Sequence, residues 1–244
     1  DCDGATAYRR AHIPGAVFSE SHPYKSADNH RVVMPPEAFA AAMSAIGIGL
    51  DTEVVAYDSN GAVSAGRLWW CLAYYGHRRV RVLDGGWPGW LNAGRPITMA
   101  ESKPAPATFV PQVDESLLAT ADYVRAAIGK PDIIILDTRS DGEWSGTESR
   151  GNPRTGRVPG SVHLEYKHCM LPGAPESFKD AAELRRLFEA AGVTPDKEIV
   201  TLCQGGGRAA QSAMTLRLLG YERVRNYDGS FGEWSRLDGA PLES

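Results

Sequence analysis

The chain repeats itself, and this constrains its fold more than any other feature. Ile13-Pro14-Gly15-Ala16-Val17 returns as Val158-Pro159-Gly160-Ser161-Val162, 145 positions later. At the same offset Glu53-Val54-Val55-Ala56-Tyr57 returns as Glu198-Ile199-Val200-Thr201-Leu202. One residue is then lost, so that Gly76 to Arg81 answers to Gly220 to Arg225, Asp84-Gly85 to Asp228-Gly229 and Trp90 to Trp234. The first offset is restored at Gly94/Gly239 and Pro96/Pro241. Matched blocks in one order imply a duplicated unit of roughly 110–125 residues, an ordinary size for one domain.

Each copy reads as strands alternating with helices, which implies a mainly parallel sheet flanked by helices. In the second copy the pattern predicts a helix over 119–128, strands over 132–136, 198–202 and 223–227, and helices over 180–191 and 207–219. Gly192 stops the 180–191 helix. The first copy lacks counterparts of the 119–136 helix and strand, which leaves an open edge. Between the copies, Met99 to Gln112 contains Pro104, Pro106 and Pro111 and little periodicity, a composition suited to a surface linker. The expected layout is an N-terminal domain over 1–98, a linker over 99–118 and a C-terminal domain over 119–244.

Composition excludes several classes. The 244 residues are 43% hydrophobic and 23% charged, with a net charge of −4. That is ordinary for a globular protein and leaves no electrostatic footprint for nucleic acid or anionic lipid. The longest apolar run, Leu68 to Tyr75, falls well short of the roughly 18 residues of a membrane span. Cys2, Cys71, Cys169 and Cys203 form no C-x-x-C motif and are too few for a disulfide framework, so a reducing compartment, the cytoplasm, is expected. Neither a nucleic acid nor a membrane is expected as partner, and the chain is expected to be a monomer. It starts at Asp1 and reads as trimmed, with no signal-peptide pattern.

The segment Ile199 to Leu202, then Cys203-Gln204-Gly205-Gly206-Gly207-Arg208-Ala209-Ala210, carries the chemistry. A buried strand ends at a cysteine, three glycines follow, and a helix begins. Glycine lets the backbone curl so that successive N–H groups point inward. A helix N-terminus adds unpaired donors and partial positive charge, and Arg208 adds a full charge at the rim. All three favour a thiolate at Cys203 and an anionic substrate. A glycine-rich turn of purely structural purpose is the alternative. The run has no Lys-Ser/Thr of a nucleotide-binding loop. In the first copy Asp58 stands where the second has Cys203, so one half is catalytic and the other degenerate.

These residues, together with His12 to Ala16, Tyr57-Asp58, Asp84-Gly85-Gly86 with Trp90, Asp137-Thr138-Arg139 with Glu143-Trp144 and Gly146, and Val158 to Val162, make the chain resemble the tandem-domain rhodaneses. That family holds thiosulfate and 3-mercaptopyruvate sulfurtransferases. The resemblance covers nearly the whole chain. It implies two rhodanese-like α/β domains, with catalysis in the second and none in the first. It also implies transfer of sulfane sulfur from thiosulfate to cyanide or a thiol through a Cys203 persulfide, without cofactor or metal. Gln204, Gly205, Gly206, Gly207 and Arg208 would bind the substrate, with Gln204 lining the mouth.

Only four residues separate Cys203 from Arg208, against five in phosphatases and arsenate reductases of this fold. A tighter loop suits sulfur better than a phosphate group. The 3-mercaptopyruvate enzymes typically read Cys-Gly-Ser-Gly-Val/Thr-Thr and carry arginine where Glu143 stands, so both departures favour thiosulfate. A 3-mercaptopyruvate sulfurtransferase remains the alternative within the family, and a non-catalytic interaction or redox-sensing module the alternative of another class. Asp137 and Arg139 are supporting candidates, or a structural ion pair. Trp90, Trp234 and Cys71 read as core, and Cys2 as a thiol at a frayed end. His163, His168, Cys169 and Cys203 lack metal-ligand spacing.

Overall fold

A computed structural model describes residues 1–19, 23–173 and 177–244. The chain divides into two compact units, Asp1–Asp114 with Met170–Phe178, and Glu115–Cys169 with Lys179–Ser244. Among the described residues no helix is long and apolar enough to cross a membrane.

The first unit runs α1 (Ala5–Arg10), α2 (Pro36–Ala45), β1 (Val54–Ala56), α3 (Val63–Tyr74), β2 (Val80–Val82) and α4 (Gly86–Asn92). β1 and β2 pair in parallel, Val54 opposite Val80 and Ala56 opposite Val82. Helix α3 is buried along most of its length, with Trp70, Cys71 and Leu72 almost fully enclosed, so Cys71 is a core residue. Cys2 is not frayed. It is buried, and its N–H donates to the Tyr57 carbonyl at 2.9 Å.

The segment over 99–114 is largely exposed, as a surface linker would be, but it is tied to the first unit. Phe109 is buried edge-on to Phe39 at 5.5 Å, and its N–H donates to Ser44 Oγ at 3.0 Å. Farther on, Gln112 and Asp114 donate their N–H groups to the Tyr75 and Tyr74 carbonyls at 2.9 and 2.8 Å. One buried aromatic side chain and a few main-chain hydrogen bonds outweigh the entropy of a free strap. The prolines shape a packed strap, and the first unit extends to Asp114.

The second unit runs β3 (Leu118–Ala119), α5 (Ala121–Ala127), β4 (Ile133–Asp137), α6 (Asp141–Trp144), β5 (Val162–His163), α7 (Ala181–Ala190), β6 (Glu198–Leu202), α8 (Gly207–Leu218), β7 (Val224–Tyr227) and α9 (Ser230–Trp234). Its five strands are all parallel, in the order β3-β7-β6-β4-β5. β6 is central, paired with β4 from Glu198 opposite Ile133 to Leu202 opposite Asp137, and Ile199 to Leu202 are buried without alternation. Such a run is the mark of a strand covered on both faces. Val200 and Leu202 join Ile135, Tyr227, Phe231 and Trp234 in one core.

The expected 119–128 helix starts at Ala121 instead, because Leu118–Ala119 pairs with β7 and Thr120 caps the helix by accepting from the Tyr123 N–H. The paired tryptophans diverge. Trp234 is fully buried and its Nε1 donates to the Pro241 carbonyl at 3.0 Å. Trp90 makes the matching bond to Pro96 at 2.8 Å but is only half-buried, with Arg95 over its ring. It is not core, because α4 has less around it.

Candidate active site

The C-terminal end of β6 delivers Cys203 into the opening of α8, where ligands of parallel α/β sheets bind. Cys203 is buried, and the Gly206 N–H donates to its Sγ at 3.1 Å. Gly206 caps α8 with φ of +85°, a left-handed conformation that strains any residue with a Cβ. This curl turns the peptide toward the thiol. By contrast, the ideal Cβ position on Gly205 meets nothing within 4 Å, so that glycine is not sterically required.

The loop is clamped from below by α9. The Cys203 carbonyl accepts from the Phe231 N–H and the Gln204 carbonyl from the Gly232 N–H, both at 2.9 Å. A Cβ on Gly232 would collide with that Gln204 carbonyl oxygen, so this close approach needs glycine. Ser230 is the functional residue that sequence reasoning missed. Its fully buried hydroxyl accepts from the Cys203 N–H at 3.1 Å, donates to the Tyr227 carbonyl at 2.7 Å and lies 3.9 Å from Sγ. It holds a left-handed φ of +53°, which costs roughly 1–2 kcal/mol for a residue with a Cβ. Aligning the two copies gives a signal for it, since Ser230 replaces Gly86.

Two expected roles are corrected. Arg208 does not stand at the rim as an unbalanced charge. Its Nη1 and Nη2 donate to the two Glu143 carboxylate oxygens at 2.6 and 2.9 Å, a bidentate pair. Glu143 is only 3% exposed and sits in the first turn of α6, in a reciprocal capping box with Ser140. Burial pushes the Glu143 carboxyl up, but hydrogen bonding and charge from Arg208 outweigh this and hold it down at about 2. Burial likewise opposes the Arg208 charge, and Glu143 and the Cys203 sulfur outweigh it, so Arg208 is held above its ordinary value. Gln204, half-buried next to Cys203, is tied down and not free at the mouth. It forms a reciprocal amide pair with Asn152, both bonds at 2.9 Å, and Arg236 donates to the same Asn152 oxygen at 3.0 Å. An amide so matched is better used in fixing the loop than in meeting solvent.

Asp137 and Arg139 form a fully buried ion pair at 2.6 Å. Arg139 also donates to the Gly156 carbonyl at 2.9 Å, and its guanidinium lies 3.9 Å from the Phe231 ring centroid. The pair therefore braces Phe231, whose N–H holds the Cys203 carbonyl. Cys169 is fully buried, and burial pushes its thiol up to about 12 against the charge of Lys179. The Cys2 thiol is raised to the same level, also by burial. With thiols raised so far, neither is a ready nucleophile.

In the first unit, the Asp58 carboxylate accepts N–H bonds from Asn60, Ala62 and Ala65 at 3.2, 2.9 and 2.8 Å. Its carbonyl accepts from Trp87 at 2.8 Å, as the Cys203 carbonyl does from Phe231. That turn carries its own anion.

A sequence model of the rhodanese-like domain matches residues 1–93 and 120–237. The thiosulfate sulfurtransferase of Bos taurus is 35% identical over 234 residues, covering 93% of this chain and 78% of that protein. The 3-mercaptopyruvate sulfurtransferase of Homo sapiens is 32% identical over 238 residues, covering 95% and 80%. Among solved structures, the anaerobic ergothioneine biosynthesis enzyme from Chlorobium limicola, in complex with trimethyl histidine, matches with a TM-score of 0.88 at 25% identity. The match takes in 98% of this chain, which spans only 62% of that longer one. The chain belongs to the rhodanese family, as a sulfurtransferase that acts between a sulfur donor and a sulfur acceptor.

Proposed function

We propose that the chain moves sulfane sulfur from thiosulfate to a thiophilic acceptor, cyanide or a thiol, through a persulfide on Cys203. The hydrogen bond from the Gly206 N–H to Sγ at 3.1 Å carries this reading. It aims a backbone donor at the atom that would bear charge, at the end of a central strand and the start of a 12-residue helix.

The Cys203 thiolate attacks the outer sulfur of thiosulfate. A Cys203 S–S bond forms, the S–S bond of thiosulfate breaks, and sulfite leaves with the electron pair. Cyanide then attacks the outer sulfur of the persulfide, thiocyanate departs, and the thiolate is regenerated. A thiol acceptor would leave as its own persulfide by the same displacement. This is covalent catalysis in two half-reactions. A fixed backbone donor aimed at developing charge is worth about 3 kcal/mol, by analogy with oxyanion holes. Ser230 holds the Cys203 peptide in register beneath that charge.

3-Mercaptopyruvate is the second donor, favoured by the human relative. The loop sequence and Glu143 depart from what that class of enzyme carries. From the cysteine usage we also infer a cytoplasmic location.

The test is thiocyanate formation from thiosulfate and cyanide, with Cys203→Ala beside the parent chain. Turnover by the parent and none by the variant is the expected result. A folded parent without turnover overturns thiosulfate as donor, and 3-mercaptopyruvate is then assayed in the same way.

A further inference from the structure

The pair between Arg208 and Glu143 places a carboxylate against the single cation of the loop from Cys203 to Arg208. Both terminal nitrogens of Arg208 are engaged, at 2.6 and 2.9 Å. Glu143 cannot swing away cheaply, because it is almost fully buried and its carboxylate also accepts from the Ser140 N–H and hydroxyl at 3.3 and 3.0 Å. A second carboxylate, Glu148, accepts from the same Ser140 hydroxyl at 3.4 Å. Cys203 lies in the same loop, its Sγ accepting from the N–H of Gly206, two residues before Arg208, at 3.1 Å. A doubly charged donor that reaches Cys203 therefore meets a guanidinium that already balances a carboxylate.

We propose that Glu143 is a specificity-determining residue for donor charge, which neutralises Arg208 so that a dianion binds beside Cys203 only by taking the arginine fork from it. The proposal deepens the sulfurtransferase reading and rests on it only in that a donor must reach Cys203. Its physical content is a competition between two acceptors for one bidentate donor. Donors of lower charge do not need the fork and are admitted at less cost. The site is thereby biased against dianions, thiosulfate included, relative to one with an unpaired arginine, a charge effect that opposes the family resemblance by which Glu143 points to thiosulfate.

The variant is Glu143→Gln, which removes the charge and keeps a glutamine-competent capping box with Ser140. A thermal melt checks that it folds, and Glu143→Ala gives the same charge change by another side chain. The first readout needs no turnover. Sulfate serves as the dianionic probe, and its protection of Cys203 against the neutral reagent iodoacetamide is measured. In Glu143→Gln the half-protecting sulfate concentration falls roughly tenfold, the scale of one additional charge-assisted hydrogen bond. The second readout is steady-state kinetics. The KM for thiosulfate falls by a similar factor and kcat changes much less, whereas the KM for an aryl thiosulfonate monoanion moves less than that for thiosulfate.

If sulfate protection is unchanged or weakened in the folded variant, the proposal is overturned, and Glu143 holds Arg208 in place for the substrate. If sulfate protects neither protein, no dianion subsite exists beside Cys203 and the proposal also falls. If sulfate protection sharpens while neither protein turns over thiosulfate, the charge assignment stands and thiosulfate as donor falls.

Discussion

The same strand-to-helix turn occurs twice in this chain and ends in opposite chemistry. Helices α3 and α8 are each 12 residues long and begin 144 positions apart, and each is capped by a residue in the left-handed region, Ala62 and Gly206. The residues that end the preceding turns, Asp58 and Cys203, are 145 apart. The residue lost between the copies is therefore lost from the turn itself, and the catalytic loop is the tighter one. In the longer turn, three backbone N–H groups close on the Asp58 carboxylate. In the shorter one, the Gly206 N–H meets a sulfur. The turn is an anion cradle by construction. Filled by its own carboxylate it is structural, and given a thiol it holds the proposed nucleophile.

Exchanging the two side chains is the strongest way to break this comparison. Cys203→Asp should abolish sulfur transfer, a loss of about 10^4-fold or more, as for removal of a nucleophile. The reverse change, Asp58→Cys in a Cys203→Ala background, should form no persulfide with thiosulfate, read by mass as the absence of an added sulfur atom. The longer turn and the missing arginine leave that thiol without the geometry of its counterpart. A persulfide at residue 58 would show that the cradle alone suffices.

Removing the built-in anion is next in size. Asp58→Ala leaves three inward N–H groups without their acceptor and should destabilise the first unit by about 3 kcal/mol, measured from the denaturant midpoint. A cost under about 1 kcal/mol would mean that water replaces the carboxylate with ease and that the turn is less closed than its hydrogen bonds imply.

The pH dependence sharpens the contrast. Burial raises the Asp58 carboxyl despite its backbone donors. Glu143 is pulled the other way, from 4.5 to about 2, because Arg208 outweighs burial. A carboxyl depressed on folding contributes stability that is fully present above its unfolded value and lost as pH falls through its folded value. The Glu143 contribution, on the order of 3 kcal/mol, should therefore be intact at pH 6 and fade from pH 4.5 toward 2. Chemical denaturation of the parent and Glu143→Gln across that range should show the difference between them shrinking in acid. A constant difference would mean that the pair contributes packing and no charge linkage.

Long elements were legible in the sequence because their patterns are long. β6 appears where its β-branched run predicts, and α7 runs from its Asp180 cap to a stop at Gly192. The two-residue strands β3 and β5 and the short helices α6 and α9 carry too few residues for a periodicity. They form because a neighbouring strand or a cap completes them, as Thr120 does for α5. At the site, Cys203 and the glycine that must curl, Gly206, could be read from residue type alone. The partners of Arg208 and Gln204 could not, since Glu143 and Asn152 lie 65 and 52 positions away and nothing in their local sequence points across the fold. The prolines of 99–114 tell only part of the story for a related reason. They report that the strap is neither helix nor sheet, and the burial of Phe109 decides that it is packed.

Ser230 isolates the smallest difference between the two turns. At the equivalent place the first unit has Gly86, with φ of +50° against +53° for Ser230. There a Cβ would overlap the Asp58 carbonyl oxygen. The second unit tolerates a side chain in the same backbone conformation, at a cost of roughly 1–2 kcal/mol, and gains a hydroxyl that accepts from the Cys203 N–H. Ser230→Gly relieves the backbone and removes that bond, two terms of similar size and opposite sign, so stability should stay within about 1 kcal/mol of the parent. The rate should not be so balanced. With its N–H unheld, the Cys203 peptide is free to tilt Sγ away from Gly206, and kcat/KM should fall roughly tenfold, the scale of one lost hydrogen bond. A stable variant with full activity would show that the clamp from Phe231 and Gly232 alone sets the thiol, and that the hydroxyl is a packing feature. A stable variant with reduced activity would assign the strained serine to catalysis, acting through the peptide it holds.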